Sequence, residues 1–252
     1  MAGHSKWANI KHRKARQDAA RSKVFTRVIR ELTVAAREGG GDPETNPRLS
    51  LAVDNAKAAN MPKDTMERAI KKGTGELEGE NYEEVTFEGY GPGGVAYFIE
   101  CTTDNNNRTV GEIRHIFSKH GGNMGTNGSV DYLFDQKGII TVPANEHLGN
   151  EEEFMLTAID AGAEDVKEDD DSYEIITSRE QLYEVRSALE QAGYDISAAE
   201  LRRIPATEVE LDEDTAVSNL KLMDKFEDHD DVTNVFTNIK MDDRMMKIAE
   251  NM

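Results

Sequence analysis

At 252 residues the chain is too long for one small core, so one large domain or two to three small ones is expected. Only 37% of it is apolar and 6% aromatic, and its formal charge is -19, which argues for modest cores under much solvated surface. No run of about 18 apolar residues suggests a membrane span, no apolar stretch follows the first charges as in a secretory signal, and the lone Cys101 excludes an internal disulfide and any cysteine-based zinc site.

The charge is polarised along the chain. Residues 1 to 72 hold 16 Lys or Arg against 8 Asp or Glu, a net of +8, and residues 73 to 252 hold 14 against 41, a net of -27. A basic end attracts phosphate backbones and an acidic body repels them. Residues 1 to 17 lack an apolar helical period and read as an arm. From Asp18 a helix is expected to about Glu38, stopped at Gly39-Gly40-Gly41. Its apolar face carries Val24, Phe25, Val28, Ile29, Leu32 and Ala36, and Lys23, Arg27, Arg30 and Arg37 fall opposite. "NPRLSLAVDNAKAANM" opens a second helix with Asn46 as cap and Pro47 in the first turn, and "PKDTMERAIKKG" gives a third.

From Tyr82 the period changes. "YEEVTFEGYGPGGVAYFIECTT" reads as a hairpin, "DNNNRTVGEIRHIFSKHGG" as a capped helix and "SVDYLFD" as a third strand. From "GIITVP" to "YDISAAELRRIP" the order is βαββαβ, the split βαβ of ferredoxin-like sandwiches. The tail adds an amphipathic helix in "VELDEDTAVSNLKLMDKFEDHDD" and a strand in "VTNVFTNI". One helix and one strand cannot bury their own faces, so both are expected to return to the sheet begun at Tyr82. The fold class expected is α+β: an N-terminal three-helix domain, then two α/β ferredoxin-like domains, the second inserted in the first. The expected boundaries are 1–76, then 77–135 with 206–245, and 136–205 as the insert.

Lys6, Lys11, Arg13, Lys14, Arg16, Arg21, Lys23, Arg27 and Arg30 put nine permanent cations in thirty residues against Asp18. Such an arm releases counterions on meeting phosphates. Trp7 could stack on an unpaired base or pin the arm to the bundle, and the area it would bury favours the second reading. His115 and His120 stand five apart and point about 140° away from each other on a helix, so no zinc pair is expected. "GYGPGG" and "GGNMGTNG" match no phosphate-binding loop. Asp104 to Thr109 could hold an anion at a helix start, although a simple cap explains it better. Cys101 reads as a core thiol, and no catalytic constellation is apparent, so an enzyme, a cofactor or a small-molecule substrate is not expected.

"MAGHSKWANIKHRKARQD", "GGGDPETNPRL", "EGYGPGGVA", "TDNNNRTVGEIRHIFSKHGGNMGTNGSV" and "YLFDQKGII" together resemble the YebC/PmpR family, which includes the mitochondrial translational activator of cytochrome oxidase subunit I. The resemblance implies three domains, a cytoplasmic location and a non-enzymatic regulator of gene expression. It implies either a DNA-binding transcriptional regulator or, alternatively, a translation factor at the ribosome that binds ribosomal RNA and eases stalling at proline-rich stretches. Residue by residue it carries Lys6, Trp7, Lys11, His12, Arg13 and Lys14 over as candidate nucleic-acid contacts.

Overall fold

The structure, a computed structural model, describes residues 17–145, 148–169 and 171–250. Helix α1 runs over Gln17–Gly39, α2 over Pro47–Ala58 and α3 over Lys63–Gly73. Leu32, Ala35 and Ala36 of α1 pack against Leu49, Ala52, Ala56 and Ala69, a core of mostly small residues that lets the helices approach closely. Gly73 marks the closest point, since a Cβ there would lie 2.3 Å from the Thr33 carbonyl oxygen. Asn46 ties the first two helices. Its side-chain oxygen accepts from Leu49 N–H at 3.1 Å, and its amide donates to Ala35 and Gly40 carbonyls at 2.8 Å each.

Strands β1 (Glu83–Tyr90) and β2 (Ala96–Thr103) form the expected hairpin, turned through Pro92–Gly94, where Gly93 has φ of 73°. Helix α4 (Asn106–Lys119), the two-residue β3 (Asn123–Met124), α7 (Glu213–Glu227) and β8 (Val232–Thr237) complete this unit. Its strand order is β3-β1-β2-β8, antiparallel throughout. Ile113, Phe117, Leu220, Met223 and Phe226 from the two helices close over Tyr97, Ile99 and Cys101 of the sheet. Between β3 and α7 the chain builds the second unit from β4 (Phe134–Pro143), α5 (Glu151–Asp160), β5 (Asp165–Asp169), β6 (Ser172–Ser178), α6 (Leu182–Gln191) and β7 (Ala198–Pro205). The order β5-β6-β4-β7 is the ferredoxin-like arrangement. The architecture is therefore α+β, a helical unit followed by two four-stranded antiparallel sheets, one inserted in the other. The first sheet differs in chain order, with its hairpin leading. No described helix is long and apolar enough to cross a membrane.

Apart from the short β3, which falls in "GGNMGTNG", two elements differ from the sequence expectation. "SVDYLFD" is not a third strand of the first sheet: Asp131–Leu133 is a 3-10 turn, and Phe134 already begins β4 of the second. The cause is Glu88, only 4% exposed, whose carboxylate accepts from the N–H groups of Gly128, Val130 and Asp131 at 2.6, 2.7 and 2.9 Å. These amides find a buried side chain rather than a neighbouring strand. The second element is α8 (Asp243–Glu250), which the sequence pattern does not announce. Its Met245 and Ala249 join the first core, and its start is capped by Asp242.

Glu88→Ala leaves three N–H groups without their acceptor and should cost about 3 kcal/mol or more, read as a lower midpoint in urea unfolding. Glu88→Gln, which keeps one acceptor oxygen, should recover part of that stability.

Candidate nucleic-acid interface

The polar face of α1 is only partly open to water: Lys23, Arg27 and Arg37 are exposed, and Arg30 is largely covered. That face looks onto the corner between α7 and β8, where Asp228, Asp230 and Asp231 lie close together in the chain. Lys23 Nζ donates to the Asp228 carbonyl at 3.0 Å and to its carboxylate at 3.2 Å. Arg30, about two turns further, turns fully inward. Its Nη1 donates to the carbonyls of Thr102 and Asp230 at 2.8 and 2.7 Å and to the Asp231 carboxylate at 3.1 Å, leaving the side chain 12% exposed. Its guanidinium also lies 5.2 Å from the Tyr82 ring centre.

Asp231 is the centre of this joint. It is 2% exposed and takes further bonds from Thr109 Oγ1 at 2.7 Å, Arg108 Nη2 at 2.8 Å and Thr103 Oγ1 at 3.2 Å. Burial alone would raise its pKa, but the bonds from Arg108 and Thr109 outweigh it and hold the carboxyl below its ordinary range. The side chains of Arg108 and Thr109 in the first turn of α4, where an anion could dock, are thus already engaged by a carboxylate of the chain itself. Asn105 caps the helix by accepting from Arg108 N–H at 3.2 Å.

The Asp231 N–H donates to His229 Nδ1 at 3.1 Å. That leaves the proton on Nε2, which meets Glu112 at 2.7 Å. Glu112, His229 and Asp231 bring ligand atoms within 4.8 Å of one another, yet each of those residues is already engaged with a protein partner. A cleft of about 540 Å³ opens here, bordered by Glu80, Asp104, Asp228 and Asp230 as well as by Arg30 and Arg108. Its rim is acidic, so it repels phosphate.

Two further ties hold the helical unit. Arg48 reaches Glu31 at 2.9 Å, Glu38 at 2.6 Å and Glu84 of β1 at 2.6 Å, and Asp54 of α2 pairs with Arg186 of α6. Outward, α3 presents a different surface. Arg68, Lys71 and Lys72 are exposed and share one face by their spacing, and none has an ion-pair partner among the described residues.

Of the residues expected to bind nucleic acid, Lys6, Trp7, Lys11, His12, Arg13, Lys14 and Arg16 lie outside the described residues. The Arg21 side chain is also outside them. Lys23 is about half exposed but paired. Arg27 remains exposed, within the fields of Glu227 and Glu200. Arg30 differs from the expectation of a phosphate contact: an acidic loop 200 residues away packs on its face, buries it and engages its Nη1. Arg68, Lys71 and Lys72 are not among the expected contacts, although "ERAIKKG" carries the spacing that reveals them.

Comparison with known proteins places this geometry. Residues 5–76 match the TACO1/YebC protein N-terminal domain, and residues 82–239 match the TACO1/YebC second and third domain. The chain belongs to the TACO1/YebC family. A relative from Persephonella marina, described as a "Probable transcriptional regulatory protein", is 57% identical over 98% of this chain and 99% of its own length. One from Carboxydothermus hydrogenoformans with the same description is 55% identical over 96% of this chain and 100% of its own. The crystal structure of Aq1575 from Aquifex aeolicus, described as a conserved hypothetical protein, superposes with a TM-score of 0.83 at 52% identity, covering 92% of this chain and 95% of that one. The TACO1/YebC domain division follows the same break near residue 80 at which the charge changes sign.

Asp231→Asn should cost about 3 to 5 kcal/mol at pH 7, as removal of one partner from a buried charged network does. Because the folded carboxyl titrates below its unfolded value of about 3.9, its contribution is present above that value and is lost as pH falls through the folded one. Acid unfolding curves of parent and Asp231→Asn should therefore converge below about pH 4. A constant gap down to pH 2 would contradict this assignment.

Proposed function

We propose that this chain is a nucleic-acid-binding regulator of gene expression and, more finely, a DNA-binding regulator of transcription that acts in the cytoplasm without catalysing a reaction. The observation that carries the reading is the division of its cations. Lys23, Arg30, Arg48 and Arg186 are paired with carboxylates of the protein itself, while Arg68, Lys71 and Lys72 face water on the helical unit that follows the cation-rich residues 1 to 16. The names of its relatives support the transcriptional form. The absence from the sequence of a base-reading motif favours contact with backbone phosphates over readout of particular bases. The buried Cys101 thiol supports a role without covalent chemistry, since burial foremost, with Asp231 and Glu100 nearby, pushes its pKa far above neutrality.

Arm and α3 together covering about five duplex phosphates would give a slope of log K against log salt near -4.5. In fluorescence anisotropy with a labelled DNA duplex, the variant Arg68→Gln/Lys71→Gln/Lys72→Gln should flatten that slope by about 2 to 3, and Arg48→Gln should leave it unchanged. An unaltered slope in the triple variant would remove α3 from the interface. Crosslinking in cells with sequencing of the attached nucleic acid separates the two forms of the reading: promoter DNA supports transcription, and ribosomal RNA supports the ribosome-associated translation factor instead.

A further inference from the structure

The insert carries a helix with apolar residues on two opposite faces. On α5, Phe154 and Ala158 are fully buried and form its side of the second core. At about 100° per residue, Leu156 falls about 180° from the centre of that pair, and it is 65% exposed. Ile159, three residues on and so on the same outward flank, is 48% exposed, with Met155 half-buried beside them. Large apolar side chains exposed singly are ordinary. Two neighbouring aliphatic ones on the outer stripe of one helix are instead the pattern of a helix covered on both faces, and among the described residues nothing covers this one.

The rim of this face is of one sign. Residues 149 to 166 hold six Asp or Glu and no Lys or Arg. Glu152, Glu153 and Asp160 are exposed around the aliphatic pair and have no ion-pair partner among the described residues, whereas Glu164 and Asp165, just beyond the helix, are paired with Lys137 and Lys167. Glutamates in the first turn suit the positive end of the helix dipole, but Asp160 stands at the negative end, where a carboxylate is disfavoured. That composition decides between occupants. A second copy would set these carboxylates against their own images, and a nucleic acid or an anionic membrane would meet them with like charge. A cationic surface with an apolar stripe fits both the pair and its rim.

We propose that the outer face of α5 docks a cationic amphipathic helix of a partner protein, whose aliphatic side chains lie on Leu156 and Ile159 and whose Lys or Arg lie over Glu152, Glu153 and Asp160. Two aliphatic side chains three apart form a ridge on which a second helix can pack. Helix α5 is ten residues long and spans about 15 Å, enough for about three turns of the partner, so the contact is small and of the transient class. It is independent of the nucleic-acid reading, because the cations assigned to phosphate lie in residues 1 to 16 and on α3, and α5 lies on the insert. A regulator built this way holds a polyanion at its basic end and a basic protein on its acidic body.

The test uses the full chain and a labelled synthetic helix of about five turns with Leu on one face and Lys on the rest, compared with a peptide of the same composition whose Leu are spread evenly around the helix. In fluorescence anisotropy the parent should bind the amphipathic peptide more tightly. Leu156→Gln/Ile159→Gln changes only exposed positions, so its thermal unfolding midpoint and its DNA salt slope should match the parent. Its affinity for the amphipathic peptide should fall about tenfold or more, and its affinity for the other peptide should not. Glu152→Gln/Glu153→Gln/Asp160→Asn should weaken the salt dependence of the same binding. Carbodiimide coupling, read by mass spectrometry, should join peptide amines to Glu152, Glu153 or Asp160. Equal affinity for both peptides, or full affinity in Leu156→Gln/Ile159→Gln, overturns the proposal. So does a parent dimer that this variant abolishes, which gives the face to a second copy. Coupling of Lys6, Lys11 or Lys14 of the same chain to those carboxylates also overturns it and gives the face to the chain's own basic residues. A parent that fails to bind DNA contradicts the nucleic-acid reading alone and leaves the α5 face standing.

Discussion

The carboxylate of Asp231 is the interaction on which this arrangement depends. It sits where three parts of the chain must meet: the polar face of α1, the start of α4 and the turn into β8. Four donors from residues 30, 103, 108 and 109 converge on its two oxygens. A buried anion this well bonded is tolerated, whereas either half of the network alone would be costly. It fixes α1 of the helical unit to the first sheet and holds the side chains of Arg108 and Thr109 in the first turn of α4, and its N–H sets the tautomer of His229, which in turn occupies Glu112.

That joint sorts the cations of a strongly acidic protein into two kinds. Some neutralise buried or crowded carboxylates and act as struts: Arg30, Arg48, Arg108, Arg186, and Arg203, which also lies 3.7 Å above the Phe98 ring. Others, Arg68, Lys71 and Lys72 on α3, face water with no ion-pair partner among the described residues. Net charge alone does not separate these sets, because a strut and a free cation count the same. What separates them is whether a distant acidic segment folds onto the helix face that carries them.

This is also why part of the molecule is legible in the sequence and part is not. Local period and capping disclose α1 to α3, the hairpin, the βαββαβ insert and the return of α7 and β8, because each is written within about twenty neighbouring residues. The polar face of α1 is equally legible, but its covering by residues 228 to 231 is not, since nothing near Arg30 announces a partner 200 positions later. The strand expected at "SVDYLFD" fails for a related reason: its amides are claimed by Glu88, forty residues earlier, whose position in a strand gives no sign of burial. Helix α8 is hidden because eight residues with two adjacent methionines show barely two turns of period, and its docking on the first core decides it.

A double-mutant cycle between Arg30→Met and Asp231→Asn, followed by urea unfolding of the full chain, tests the central claim most directly. If the buried pair joins the helical unit to the first sheet, the two substitutions should couple by about 2 kcal/mol or more. A coupling below about 0.5 kcal/mol would show that the two groups act independently and that the joint is held by something else.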